Sequence, residues 1–161
     1  MNRRYLGIGA MACSLLLSGV RAAEKPNFSG TWRLNLSKSK LSDGSPVPYY
    51  NEFIHEIDHH EPKFRLTERI KPAEGEPRVV EWNLTTDGKE YDTKVADKPS
   101  KISGMWDGDR LVTRIVYQES GVEYQVVRKS VLSEDGKTVT AEWEVTTPGG
   151  SQRATEIWEK Q

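Results

Sequence analysis

The sequence predicts an all-β chain, an antiparallel up-and-down β-barrel of about 8–10 strands with no helical lid. Three observations predict it. Apolar and polar residues alternate with period two through most of residues 28–160, and no segment of about 10 to 12 residues carries a convincing 3.6-residue period. Turn signals separate the alternating runs at short intervals. About ten such runs, each following its predecessor through a short turn, form a meander that must expose two edges or close on itself. An open two-sheet sandwich is the alternative.

The first strand is expected over 28–36, with Phe28, Gly30, Trp32, Leu34 and Leu36 on one face and Ser29, Thr31, Arg33 and Asn35 on the other. Residues 37–48 hold Gly44, Pro46 and Pro48 and read as a surface loop. A strand over 49–60 stops at Glu61-Pro62. The next, 63–71, sets Phe64, Leu66 and Ile70 against Lys63, Arg65, Thr67 and Arg69, and Pro72 to Pro77 turns the chain. Strand 78–86 alternates Val80, Trp82 and Leu84 with Val79, Glu81 and Asn83. Asp87-Gly88 then leads to strands 90–95 and 101–106. Asp107-Gly108, Ser120-Gly121, Asp135-Gly136 and Pro148-Gly149-Gly150 mark off strands 110–118, 122–133, 137–147 and 151–160. Asp-Gly supplies the positive φ that tight hairpins need.

Residues 1–22 stand apart. Arg3 and Arg4 precede an apolar stretch from Tyr5 to Val20, and the small side chains of Val20 and Ala22 fit signal-peptidase cleavage before Ala23. The expected organisation is a signal peptide over 1–22 and one barrel domain over 23–161, exported to a periplasm or secreted. The apolar stretch is short for a membrane span, so no stable span is expected after cleavage. Cys13 is the chain's one cysteine and falls inside the leader; lipidation there is the alternative. The remaining domain must then hold itself by its core, without disulfides.

The leader takes three of the 23 basic residues and none of the acids, leaving 20 Lys and Arg against 24 Asp and Glu. That balance argues against nucleic-acid binding, which needs concentrated positive charge. Oligomeric state is left open.

Residues 27–34, Asn-Phe-Ser-Gly-Thr-Trp-Arg-Leu, resemble the Phe-x-Gly-x-Trp opening strand of lipocalins and intracellular fatty-acid-binding proteins. Residues 154–160, Ala-Thr-Glu-Ile-Trp-Glu-Lys, resemble the closing strand of the second family. The hairpins at Trp106-Asp107-Gly108 and Ser133 to Lys137 are similar to those of bacterial lipocalin-like proteins of unassigned role. This resemblance implies a calycin barrel around a cavity for a small hydrophobic or amphipathic ligand. It implies that Gly30 lets the first strand bend and that Trp32 plugs the closed end. The fatty-acid-binding proteins grip a carboxylate with an Arg-x-Tyr pair in the last strand, where this chain has Glu156 and Trp158; fatty-acid binding is therefore not carried over. Neither their two-helix lid nor the C-terminal helix of lipocalins has a counterpart.

The candidate cavity residues are Trp82, His55, Tyr124, Arg128, Trp143, Glu156 and Trp158. Arg128 shares a phase with Tyr124 and Val126, and Glu156 with Ala154 and Trp158. If both phases point inward, a guanidinium and a carboxylate share the interior and must pair. They would anchor a ligand's polar end, or form a purely structural ion pair; the phase of 152–160 is open, because Thr155 and Ile157 form the other face. Five tryptophans suit either an aromatic-lined cavity or a core short of other bulk. His55 and His59 share a face, but their α-carbons lie roughly 13 Å apart along a strand, too far for one metal without other ligands. No cofactor or metal is implied, and no nucleophile elbow or phosphate-cradling loop points to an enzyme. An enzyme reading would require a pKa displaced by burial at Glu68, Glu156 or His55. The alternative to a ligand-binding barrel is a filled structural or interaction barrel of the cell envelope.

Overall fold

In the computed structural model, residues 24–95 and 97–161 are described; the expected leader, Cys13 and the cleavage point before Ala23 lie outside them. Eleven strands follow in order: β1 (Gly30–Leu34), β2 (Lys40–Leu41), β3 (Tyr50–His60), β4 (Lys63–Pro72), β5 (Arg78–Thr85), β6 (Glu90–Val95), β7 (Lys98–Asp107), β8 (Arg110–Glu119), β9 (Val122–Leu132), β10 (Thr138–Thr147) and β11 (Gly150–Lys160). No helix among the described residues is long and apolar enough to cross a membrane.

Ten strands form one antiparallel ladder in the order β5-β4-β3-β1-β11-β10-β9-β8-β7-β6, and β2 pairs with β11 off that path. Pairing of the first strand with the last, Trp32 opposite Lys160 and Leu34 opposite Trp158, rolls the meander into a barrel. The barrel is nearly closed: the ladder ends at β5 and β6, which do not pair, and β5 packs against β7 instead. That approach depends on Gly104. A Cβ there would lie 2.6 Å from Leu84 Cδ1 and 3.2 Å from the Thr85 carbonyl oxygen. The turn after β5 is held to β7 by a backbone bond from Gly88 N–H to the Gly104 carbonyl at 2.9 Å.

The alternation predicted from sequence is the alternation observed. Inward positions carry the core, including Trp32, Phe53, Phe64, Ile70, Trp82, Leu84, Ile102, Leu111, Val139 and Trp158. The segment 37–48 is the correction. It contains no helix, as expected, but it is not simply a surface loop: it contributes β2, and Ser39 and Val47 are buried. Ser39 Oγ accepts from the Ile157 N–H at 3.0 Å and donates to the Asn35 carbonyl at 2.7 Å, so a small polar residue here satisfies two strands at once.

One end of the barrel is sealed. Trp32 is 1% exposed, its indole N–H donates to the Phe28 carbonyl at 2.8 Å, and Lys160 Nζ lies 5.1 Å over its ring. Gly30 takes φ +133°, and a Cβ on it would stand 2.8 Å from Lys160 Cε, which explains a glycine at the bend. Glu61 ties the same end together. Its Oε1 accepts from His59 Nε2 and Trp106 Nε1, each at 2.8 Å, and its Oε2 accepts from Thr86 Oγ1 at 2.7 Å. His59 Nδ1 accepts from the Phe28 N–H at 3.3 Å, which assigns the ring proton to Nε2.

Candidate functional site

The inward faces do not fill the barrel. They enclose a cavity of about 430 Å³, within the range of small-molecule sites. A barrel packed solid, expected under the structural alternative, would leave no such space. Trp32 and Phe28 line the floor, and Tyr49, Arg78, Lys98, Tyr117 and Glu119 surround the mouth.

Six of the seven expected cavity residues line this space: His55, Trp82, Arg128, Trp143, Glu156 and Trp158. Tyr124 lies outside the lining. It stacks on its cross-strand partner Tyr117, with ring centres 5.1 Å apart and planes 8° from parallel, and Tyr117 is the ring that borders the cavity. Trp106 belongs to the sealed end through its bond to Glu61.

Register brings the polar groups together. Arg128 on β9 sits opposite Trp143 on β10, and Glu156 on β11 sits opposite Ala141 on β10, so both reach inward across the same strand. Arg128 Nη2 and Glu156 Oε2 meet at 3.1 Å. Glu156 Oε1 also accepts from Trp143 Nε1 at 2.9 Å, and Oε2 from Trp158 Nε1 at 3.1 Å. The Arg128 guanidinium lies 5.0 Å over the Trp158 ring. Burial pushes the Glu156 carboxyl up, against the opposing pull of Arg128 and the two indole N–H groups. The open phase of 152–160 is thereby decided: Glu156 and Trp158 point inward.

A second polar group adjoins this pair through Trp158, on whose ring His55 is stacked at 3.7 Å. His55 on β3 is paired in register with Glu68 on β4, and His55 Nε2 stands 3.2 Å from Glu68 Oε1. The contact is close but poorly aligned: His55 Nε2 and the neighbouring Trp82 Nε1 are both buried without a hydrogen-bond partner among the described residues. Burial pushes the His55 pKa down to about 4, more than Glu68 restores it, and Arg128 adds to the fall. The Glu68 carboxyl is held below its ordinary value. Burial opposes its charge, but the nearby His55, the Trp82 N–H and Arg128 outweigh that cost. Burial thus moves His55 down and Glu156 up, whereas Glu68 is moved down by its neighbours against burial.

Among the lining residues outside the candidate list are Glu68 and Tyr50. Glu68 continues the phase of Leu66 and Ile70, and the sequence singled it out only as a group whose titration would test an enzyme reading. Tyr50 lies inward like Phe53 because the β3–β4 register slips between Tyr50 and Glu52, and a bulge cannot be read from alternation. Tyr50 packs 4.7 Å from Phe53, and burial followed by the charges of Glu156 and Glu68 pushes its phenol up. Among the described residues no three His, Cys, Asp or Glu side chains are placed to hold a metal ion.

No family model matches the chain, and no curated protein matches it. Solved structures do. The chain is similar to zebrafish ileal bile acid-binding protein in complex with cholic acid, at 16% identity and a TM-score of 0.56, covering 83% of this chain and 98% of that one. It is similar to a secretory abundant heat soluble protein of Ramazzottius varieornatus, at 14% identity and a TM-score of 0.61, covering 83% and 94%. Human cRBP IV matches at 15% identity and a TM-score of 0.51, covering 84% and 99%. At these identities the likeness concerns the fold, and the fold is that of the calycin barrels resembling fatty-acid-binding proteins.

Proposed function

We propose that the chain is an exported lipocalin-like barrel that binds or carries a small hydrophobic or amphipathic molecule in its interior. The cavity of about 430 Å³ carries this reading. Aliphatic and aromatic side chains line most of it, and its buried ionisable groups gather on two pairs, Arg128–Glu156 and His55–Glu68, an arrangement that orients a ligand with one polar end. Similar barrels include one solved with cholic acid and named for bile acids. Export rests on the basic and apolar character of residues 1–22, and a periplasmic or secreted address follows from it. The reading also makes this chain akin to bacterial lipocalin-like proteins of unassigned role. No catalytic role is assigned to any residue.

The test is saturable quenching of tryptophan fluorescence by a panel of uncharged lipophiles, alongside native mass spectrometry of gently purified protein. Saturation is expected in the native chain and its loss in a cavity-filling Val126→Trp variant that keeps its β spectrum. Neither quenching nor a co-purified small molecule would overturn the proposal. Expression of the whole chain in a bacterial host tests export: periplasmic protein beginning at Ala23 is expected, and cytoplasmic protein retaining Met1 would refute it.

A further inference from the structure

The polar atoms of the cavity are not equally satisfied, and the difference selects a ligand. At the Arg128–Glu156 pair, three N–H groups converge on one carboxylate from Arg128, Trp143 and Trp158. Three donors fit an ionised carboxylate, and the pair is then neutral as a unit. The guanidinium is engaged by Glu156 on one side and covered by the Trp158 ring at 5.0 Å. It is therefore not a free cation for an incoming acid. A ligand carboxylate meeting this guanidinium also meets the Glu156 carboxylate 3.1 Å from it, and the two anions repel.

At the other pair the opposite holds. Glu68 lines the cavity, the ionisable group in contact with it is His55, which is neutral at ordinary pH, and Arg128, which also draws its pKa down, is already paired with Glu156. His55 Nε2 and Trp82 Nε1, on residues 4% and 6% exposed, are buried in the wall beside Glu68 and are bonded to nothing among the described residues. The remaining charges that line the cavity are at its mouth. Lys98 and Glu119 pair with each other at 2.7 Å, and Arg78 is exposed, where water screens it. Among the described residues the interior thus holds one cation, Arg128, against two carboxylates, Glu156 and Glu68, and the excess charge is negative.

Resting on the reading of the cavity as a ligand site, we infer that its ligand is a lipophilic amine, with the protonated nitrogen on Glu68 and the apolar body along the aromatic wall. A cation supplies what the bare carboxylate lacks; an alcohol supplies a hydrogen bond but no charge; a carboxylate meets repulsion in a site of low dielectric.

The experiment compares three ligands with one tail: decylamine, decanol and decanoate, each below its micelle concentration, displacing the neutral dye Nile red at pH 7.5. Decylamine is expected to displace the dye at least about tenfold more tightly than decanoate, with decanol between them. In Glu68→Gln the amine advantage should vanish while Nile red still binds. Decanoate binding as well as or better than decylamine, or an amine preference that survives Glu68→Gln, overturns the inference but leaves the cavity reading standing, since the dye reports an occupied interior. If Nile red does not bind and none of the three ligands quenches tryptophan, both fall. The ranking in the unmodified chain decides the matter even if Glu68→Gln does not fold.

Discussion

The imidazole of His55 lies on the indole of Trp158, ring centres 3.7 Å apart and planes 18° from parallel. Packing of this kind excludes water from the ring, and it is the reason His55 stays uncharged well below the usual histidine range. In the unfolded chain His55 takes up a proton near 6.5; in the barrel it does so only near 4. Between those values the unfolded state binds more protons, so His55 costs nothing above about pH 6.5 and destabilises the barrel as the pH falls through the window, by about 3 kcal/mol at its lower end. Urea midpoints of the native chain and of His55→Asn should converge from pH 7 to pH 4. Parallel pH profiles would contradict the assignment.

Removal of one partner of the interior ion pair should cost far more than a surface pair does. Arg128→Met leaves the buried Glu156 carboxylate with only its indole donors and is expected to lower stability by about 3–5 kcal/mol. Adding Glu156→Gln should return part of that loss. The check is a double-mutant cycle by denaturant unfolding; a single-variant cost below about 1 kcal/mol would mean the pair behaves as if exposed.

Gly104 makes a sharper steric prediction. Gly104→Ala drives a methyl group into Leu84 and the Thr85 carbonyl and should destabilise by about 1–3 kcal/mol. Gly149→Ala, whose added Cβ would meet nothing closer than Thr147 Oγ1 at 3.6 Å, should be near neutral. Thermal midpoints of the two variants distinguish crowding at the β5–β7 approach from a general cost of replacing glycine.

Glu61→Ala removes the acceptor shared by His59, Trp106 and Thr86. His59 is 2% exposed, so its Nε2–H would be left without a partner, at a cost of about 1–3 kcal/mol. Hydrogen exchange should accelerate first around the β3–β4 turn and Thr86, since those segments lose their common anchor. Uniform acceleration over the barrel would show that the anchor is not local.

How much of this was legible in sequence depended on whether a feature repeats or occurs once. Strands β3 to β11 follow from alternation and Asp-Gly turns because each strand offers several residues in phase, and one misleading residue does not shift the phase. Arg128 and Glu156 could be brought to the same interior because each interrupts such a phase. Single events were not legible. The two residues of β2 are too few to alternate, and Ser39 is buried by one pair of hydrogen bonds that its polar composition does not announce. The slip after Tyr50 changes the face of one ring without leaving a trace in the pattern. Tyr124 follows the inward phase, yet it lies at the rim, because phase fixes a side and not a depth. Glu68 needed its neighbours across two strand pairings before its lack of compensation could be recognised.

The two margins of the ladder, β5 and β6, give the molecule a seam. Among the described residues no strand pairing spans it, and β5 meets β7 by packing. Elsewhere, parting the wall means breaking rows of backbone hydrogen bonds; here it means separating packed side chains. Local opening at this one slit therefore costs the least backbone bonding of any place in the wall.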